Sequence, residues 1–154
     1  MPAFHVRSVW LAAGFLLALM VLGCGDSSGV GKTCPVRGKI TLGDQTLAAE
    51  SAVVLFKPDA SKGNNSPFEP IGNVDREGNY TLVTKGKRGA PPGWYKVIVT
   101  ASEARIEAPK DPKRGHPHPR SLVPAKYGQE KTTDLAVEVV ADPAPGAYDL
   151  KLKK

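Results

Sequence analysis

Apolar and polar residues alternate along most of the second half of this chain, and again in one stretch near its start. Within residues 35–42, Val36, Gly38, Ile40 and Leu42 fall on one face and Arg37, Lys39 and Thr41 on the other. That two-residue period is what a half-buried strand requires. Residues 52–56 (Ala-Val-Val-Leu-Phe) are apolar on both faces, which predicts a central strand covered on both sides. Short strands are expected at 71–74 and 80–83, joined by a turn at 75–79 in which Gly78 supplies a positive φ. The clearest strand is 94–100, with Tyr95, Val97 and Val99 opposite Trp94, Lys96, Ile98 and Thr100. Leu135, Val137 and Val139 alternate with Ala136, Glu138 and Val140, and Tyr148, Leu150 and Leu152 with Asp149, Lys151 and Lys153. No long stretch carries a helical period. Seven short strands punctuated by Gly, Pro and Asp predict an all-β fold, a seven-stranded antiparallel β-sandwich over residues 34–154.

The connections differ in character. Residues 59–70 are polar, with Gly63, Asn64, Asn65 and Pro67, and read as a mobile loop. Residues 85–93 form a basic loop stiffened by Pro91 and Pro92. Residues 102–123 make a long connection rich in proline and basic residues, of a length usually functional or disordered.

The other apolar run, residues 9–22, follows Arg7 and carries no charge. It is shorter than the roughly 20 residues of a spanning helix and suits the apolar region of a signal peptide. Its ending, Val21-Leu22-Gly23-Cys24, resembles a bacterial lipobox. The resemblance implies a signal peptide at 1–23, cleavage between Gly23 and Cys24, and a lipid on the Cys24 thiol. Several acyl chains at about 0.8 kcal/mol per buried methylene hold a protein far more firmly than one chain does. An ordinary signal peptide with an incidental Cys24, and an uncleaved anchor, are the competing readings. Residues 24–33 read as a flexible Gly/Ser tether, with a span of roughly 15–18 Å. The expected location is the bacterial cell envelope, exported and membrane-anchored.

About 130 residues remain after such a cut, enough for one domain with a real core. The formal net charge of +6 is spread along the sequence rather than interleaved with aromatics, so no nucleic-acid partner is expected. With Cys24 lipidated, Cys34 has no partner within the chain. It is then either a reactive or intermolecular thiol, or a small residue tucked in where the first strand begins.

Residues with chemistry are few. Asn64-Asn65-Ser66 fits a glycosylation sequon, with Pro67 following. Asp75, Glu77 and Asn79 alternate like the start of a calcium loop but lack the downstream acidic ligand, which favours a tight hairpin. His116 and His118, in a Pro-rich segment, are two ligands where a zinc site wants three or four. They are also the only histidines of the mature chain, so a fixed catalytic triad has no clear base. The expectation is a non-enzymatic protein with no catalytic residue, no metal and no cofactor. Trp94 and Tyr127 are the candidate ligand contacts, as exposed aromatics able to stack on sugars. An aromatic at a strand's entry, as Trp94 is, more often packs under a loop.

The order of three motifs resembles the carboxypeptidase regulatory-like domains, a transthyretin-like branch of the Ig-like sandwiches. Val36-Arg37-Gly38-Lys39-Ile40-Thr41-Leu42-Gly43-Asp44-Gln45-Thr46-Leu47 is similar to that family's opening hairpin. Asp75-Arg76-Glu77-Gly78-Asn79-Tyr80-Thr81-Leu82 is similar to its glycine turn, and Pro92-Gly93-Trp94-Tyr95-Lys96-Val97-Ile98-Val99 to its "P-G-x-Y-x-V-x-V" strand. Gly43-Asp44 reverses the family's usual Asp-Gly, and Gln45-Thr46 lacks its proline. The resemblance implies no catalysis. It implies a structural or interaction module of the envelope that meets a protein or a glycan, or alternatively a carbohydrate- or peptidoglycan-binding module.

Overall fold

The structure, a computed structural model, describes residues 28–49, 51–103 and 120–154. Among these residues there are ten strands, two short 3-10 turns and no α-helix. The strands are β1 (Arg37–Leu42), β2 (Gln45–Thr46), β3 (Ser51–Pro58), β4 (Ile71–Asn73) and β5 (Asn79–Thr81). They continue with β6 (Val83–Thr84), β7 (Lys87–Arg88), β8 (Gly93–Ser102), β9 (Ala136–Val139) and β10 (Leu150–Leu152). Two sheets face each other across one core, an all-β sandwich as the alternation predicts.

The larger sheet runs β7-β6-β4-β3-β8-β9 and is antiparallel throughout. Its spine is the β3–β8 ladder, from Ser51 opposite Ser102 to Pro58 opposite Tyr95. β3 is central, as expected, but only one of its faces is fully covered. Ala52, Val54 and Phe56 are buried, while Val53 and Leu55 are half-buried.

The smaller sheet is built on β1. β5 pairs with Arg37–Lys39 and β2 with Thr41 and Leu42, while β10 pairs with Ile40–Leu42. The β1–β10 pair is parallel, which corrects the expectation of seven wholly antiparallel strands. The cause is a crossover. β9 ends on the far edge of the other sheet, and the chain crosses over the start of β1 before β10 runs alongside it.

The strand expected at 80–83 is divided between the two sheets. Thr81 pairs with Arg37 in one, and Val83 pairs with Ile71 in the other. Leu82, fully buried, makes the crossing: its amide donates to the Val36 carbonyl at 3.0 Å, and its carbonyl accepts from Gly89 at 2.7 Å. Side-chain alternation continues smoothly through such a crossing, so the sequence gives no sign of it.

The core lies between Val36 and Ile40 of β1, Tyr80 of β5, Phe56 of β3 and the inward row Tyr95, Val97 and Val99 of β8. The Phe56 ring lies 5.7 Å from Tyr95 and 6.4 Å from Tyr80, by centroids, bridging the sheets. Each such side chain contributes roughly 1.5–3 kcal/mol on burial. One polar contact is placed within this apolar layer. The Tyr80 hydroxyl donates to the Tyr148 carbonyl at 2.6 Å, and burial holds that hydroxyl protonated far above its usual range. The carbonyl fits there because Gly38 lies beneath it; a Cβ on Gly38 would stand 2.2 Å from the Tyr148 oxygen.

Gly38→Ala is therefore expected to lower stability by about 2–3 kcal/mol, since backbone rather than a flexible side chain must move. Gly128→Ala, with nothing within 4 Å of its added Cβ, is expected to stay within about 0.5 kcal/mol of the parent. Chemical denaturation of both variants checks this; equal midpoints would contradict the crossing at Gly38.

Candidate functional site

The residues singled out by sequence fall in different places. Gly23 and Cys24, and likewise His116 and His118, lie outside the described residues. Tyr127 is in the core: only 1 % of it is exposed, and its hydroxyl accepts a hydrogen bond from the Lys153 amide at 2.7 Å. It offers no ring face to a ligand, and this corrects its reading as a surface aromatic. The 3-10 turn Ala125–Gly128 carries it inward beneath β8. Trp94 is half-buried at the start of β8, and the Lys62 ammonium lies 3.7 Å from its ring centroid. One face of the indole is thus already occupied by a cation of the same chain.

The loop after β3 is what brings Lys62 there. Asp59 caps the turn Ala60–Lys62, its carboxylate accepting from the Ser61 hydroxyl at 2.5 Å and the Ser61 amide at 3.1 Å. The hydroxyl bond, ahead of the amide bond and nearby Lys96 and Lys62, holds the Asp59 carboxyl below its usual pKa. The Trp94 carbonyl accepts from the Asp59 amide at 3.0 Å and from the Asn64 side chain at 2.8 Å. Asn64 also accepts from the Ser66 amide at 3.1 Å. So the loop that composition marks as mobile is fastened to β8 by internal bonds, and the sequon asparagine is buried and engaged.

Cys34 is also buried, in a two-bond bridge with Ala90: its amide donates at 2.8 Å and its carbonyl accepts at 3.0 Å. A thiol in that position needs local opening before it can meet another cysteine.

Asp75 closes the β4–β5 hairpin. One carboxylate oxygen accepts from the Asn79 amide at 2.7 Å and the Glu77 amide at 3.0 Å, and the other from the Asn79 side chain at 3.1 Å. The turn consumes the acceptors that a cation would need. A shallow cleft of about 410 Å³ lies alongside, lined by Ile71, Asn73, Asp75, Asn79 and Thr81 among others. It holds no histidine, cysteine or lysine. Among the described residues, no group of three or more His, Cys, Asp and Glu side chains is placed to hold a metal. Nor does any buried side-chain nitrogen or oxygen there lack a partner.

What the sequence reading missed is a cationic end. Residues 28–33, expected to be free tether, lie against the domain. Val30 is buried, the Thr33 hydroxyl donates to the Arg88 carbonyl at 3.0 Å, and the Lys87 ammonium donates to the Gly31 carbonyl. The β6–β7 hairpin and the 59–68 loop reach the same end, where the Lys85 ammonium lies 4.9 Å from the Phe68 ring centroid. Lys32, between the bonded Gly31 and Thr33, lies beside Lys87 and Arg88 of the hairpin, and Lys85 and Lys62 contact Phe68 and Trp94 at the same end. The available signal was negative: neither 28–43 nor 78–102 contains a single Asp or Glu.

The Asn79 amide bond, then the Asn79 side chain and the Glu77 amide, hold the Asp75 carboxyl below its usual pKa. The stabilisation it gives is complete above the unfolded-chain value of about 3.9 and is lost as pH falls through the lower, folded value. An NMR titration of Asp75 is expected to show a midpoint below about 3.9, and Asp75→Asn to reduce the loss of stability in acid. A midpoint at or above the ordinary value would contradict the turn described here. No protein family, curated protein or solved structure matches this chain.

Proposed function

We propose that this chain is a non-enzymatic, lipid-anchored module of the bacterial cell envelope, a rigid interaction or structural domain held at a membrane through Cys24. The observation that carries the proposal is the uncharged run 9–22 ending in Val21-Leu22-Gly23-Cys24. In this reading residues 1–23 are the signal peptide, Cys24 bears the lipid, and the sandwich from residue 34 onward is an Ig-like domain of the transthyretin-like, carboxypeptidase regulatory-like type. The order of hairpin, glycine turn and P-G-x-Y strand supports that type.

Several polar side chains, among them the sequence candidates Asn64, Asp75 and Tyr127, are engaged in holding the fold. Asp59, Asn64 and Asp75 bond loop backbone, and Tyr80 and Tyr127 bond backbone groups of other elements. That economy suits a scaffold that presents a surface. The sugar-stacking alternative is less well supported, because Tyr127 is buried and one face of Trp94 is covered by Lys62.

The test is intact mass and membrane fractionation of the native chain beside Cys24→Ser. The expected result is a chain beginning at Cys24 with a lipid-sized mass increase, and a variant that lacks the increase and leaves the membrane fraction. An unmodified chain, or membrane retention unaffected by the substitution, would overturn the anchor.

A further inference from the structure

We infer that the cationic end of the sandwich is a second, electrostatic membrane contact, facing anionic lipid headgroups. This rests on the lipid anchor proposed above, which fixes which end of the domain lies nearest the bilayer.

The first argument is distance. If residues 24–33 were all free, their average span would be roughly 15–18 Å. They are not: Val30 is buried, and Gly31 and Thr33 are bonded to Lys87 and Arg88. Only the stretch from Cys24 to about Val30 is left as spacer. It reaches at most ~20 Å fully extended, and roughly 12–15 Å on average for a Gly/Ser-rich chain. Charges at the point of departure therefore spend much of their time within one or two screening lengths of the headgroups, about 8 Å each at physiological salt.

The second argument is charge. The chain leaves the domain between the basic groups themselves. Lys32 is on the departing segment, Lys85, Lys87 and Arg88 are on the hairpin it touches, and Lys62 is on the neighbouring loop. The acids at this end include Asp59, whose carboxylate is turned to Ser61, Glu138 opposite Trp94, and Asp142 on the loop that passes Pro35 and Arg37, with Asp26 on the spacer. Glu69 and Glu130 both pair with Lys57, at 2.7 and 3.9 Å. The departing segment and the hairpin, within residues 28–43 and 78–102, carry cations and no acid, and clustered Lys and Arg next to a membrane anchor favour anionic lipid.

The third is the hairpin tip. Lys85 is, among the described residues, the one non-glycine at positive φ, 45°, followed by Gly86 at 81°. Two positive φ values in a two-residue turn ordinarily call for Asn-Gly or Gly-Gly. Here a lysine holds the strained position, at the outermost point of the hairpin.

The far end supplies an internal control. β1 and β10 run away from the anchor in parallel, so Lys153 and Lys154 lie about 20 Å beyond the start of β1.

The experiment uses the full chain isolated from membranes with its lipid. It is reconstituted into vesicles of phosphatidylcholine alone or with one third phosphatidylglycerol, and lysine acylation rates are read by mass spectrometry. The expected result is that Lys32, Lys62 and Lys85 react several-fold more slowly on the anionic vesicles, while Lys153 and Lys154 do not change. Molar salt, where screening shrinks to ~3 Å, is expected to remove the difference. Lys85→Glu with Arg88→Glu is expected to remove the protection of Lys32 and Lys62. Equal rates on both vesicles would overturn the inference and leave this surface to an acidic protein partner. Should the chain carry no lipid, flotation with the same vesicles decides separately. Binding to anionic vesicles that the double substitution abolishes keeps the basic contact and rejects the anchor; no binding rejects both.

Discussion

A tyrosine hydroxyl meeting a backbone carbonyl above a glycine is the contact on which the rest of this sandwich depends. Tyr80 stands on β5 and Tyr148 just before β10, and both converge over Gly38 of β1. Because Gly38 has no side chain, the last part of the chain can cross the first strand closely enough for the bond to form. That crossing lets β10 lie parallel to β1 on the edge opposite β5 and β2, so β1 is paired on both sides. The Lys153 amide then finds the Tyr127 hydroxyl in the core. The C-terminal residues thereby close the fold instead of trailing from it.

The apolar alternation made much of this legible. β8 and β9 fall where the two-residue period puts them and β3 where the unbroken apolar run does, and the inward row of β8 is the one the sequence marks. What stayed hidden were relations between backbones. The parallel sense of β10, the division of residues 80–83 between two sheets and the fastening of the 59–70 loop depend on which carbonyl each amide meets. Side-chain type does not encode that choice. Tyr127 was misread for a related reason. A tyrosine near a proline and a lysine reads as exposed, and only the Ala125–Gly128 turn directs it inward.

The candidate surface was legible in parts. Lys85, Lys87 and Arg88 stand out as a basic loop, but Lys32 and Lys62 join them only after the tether and the 59–68 loop have folded back. On the proposed lipid anchor, the same folding back shortens the spacer between domain and membrane. Stability and placement would then be linked: the bonds from Thr33 and Lys87 that hold the departing segment would also set how close the basic end comes to a bilayer.

The central claim is that the C-terminal strand closes the sandwich. Native-state hydrogen exchange of the full chain tests it most directly. Terminal residues ordinarily fray and exchange fast. The account predicts that the amides of Leu150, Leu152 and Lys153 exchange as slowly as those of the β3–β8 ladder, in the slowest class. Exchange of those three amides at the rate of a frayed terminus, with β3 and β8 still protected, would contradict it.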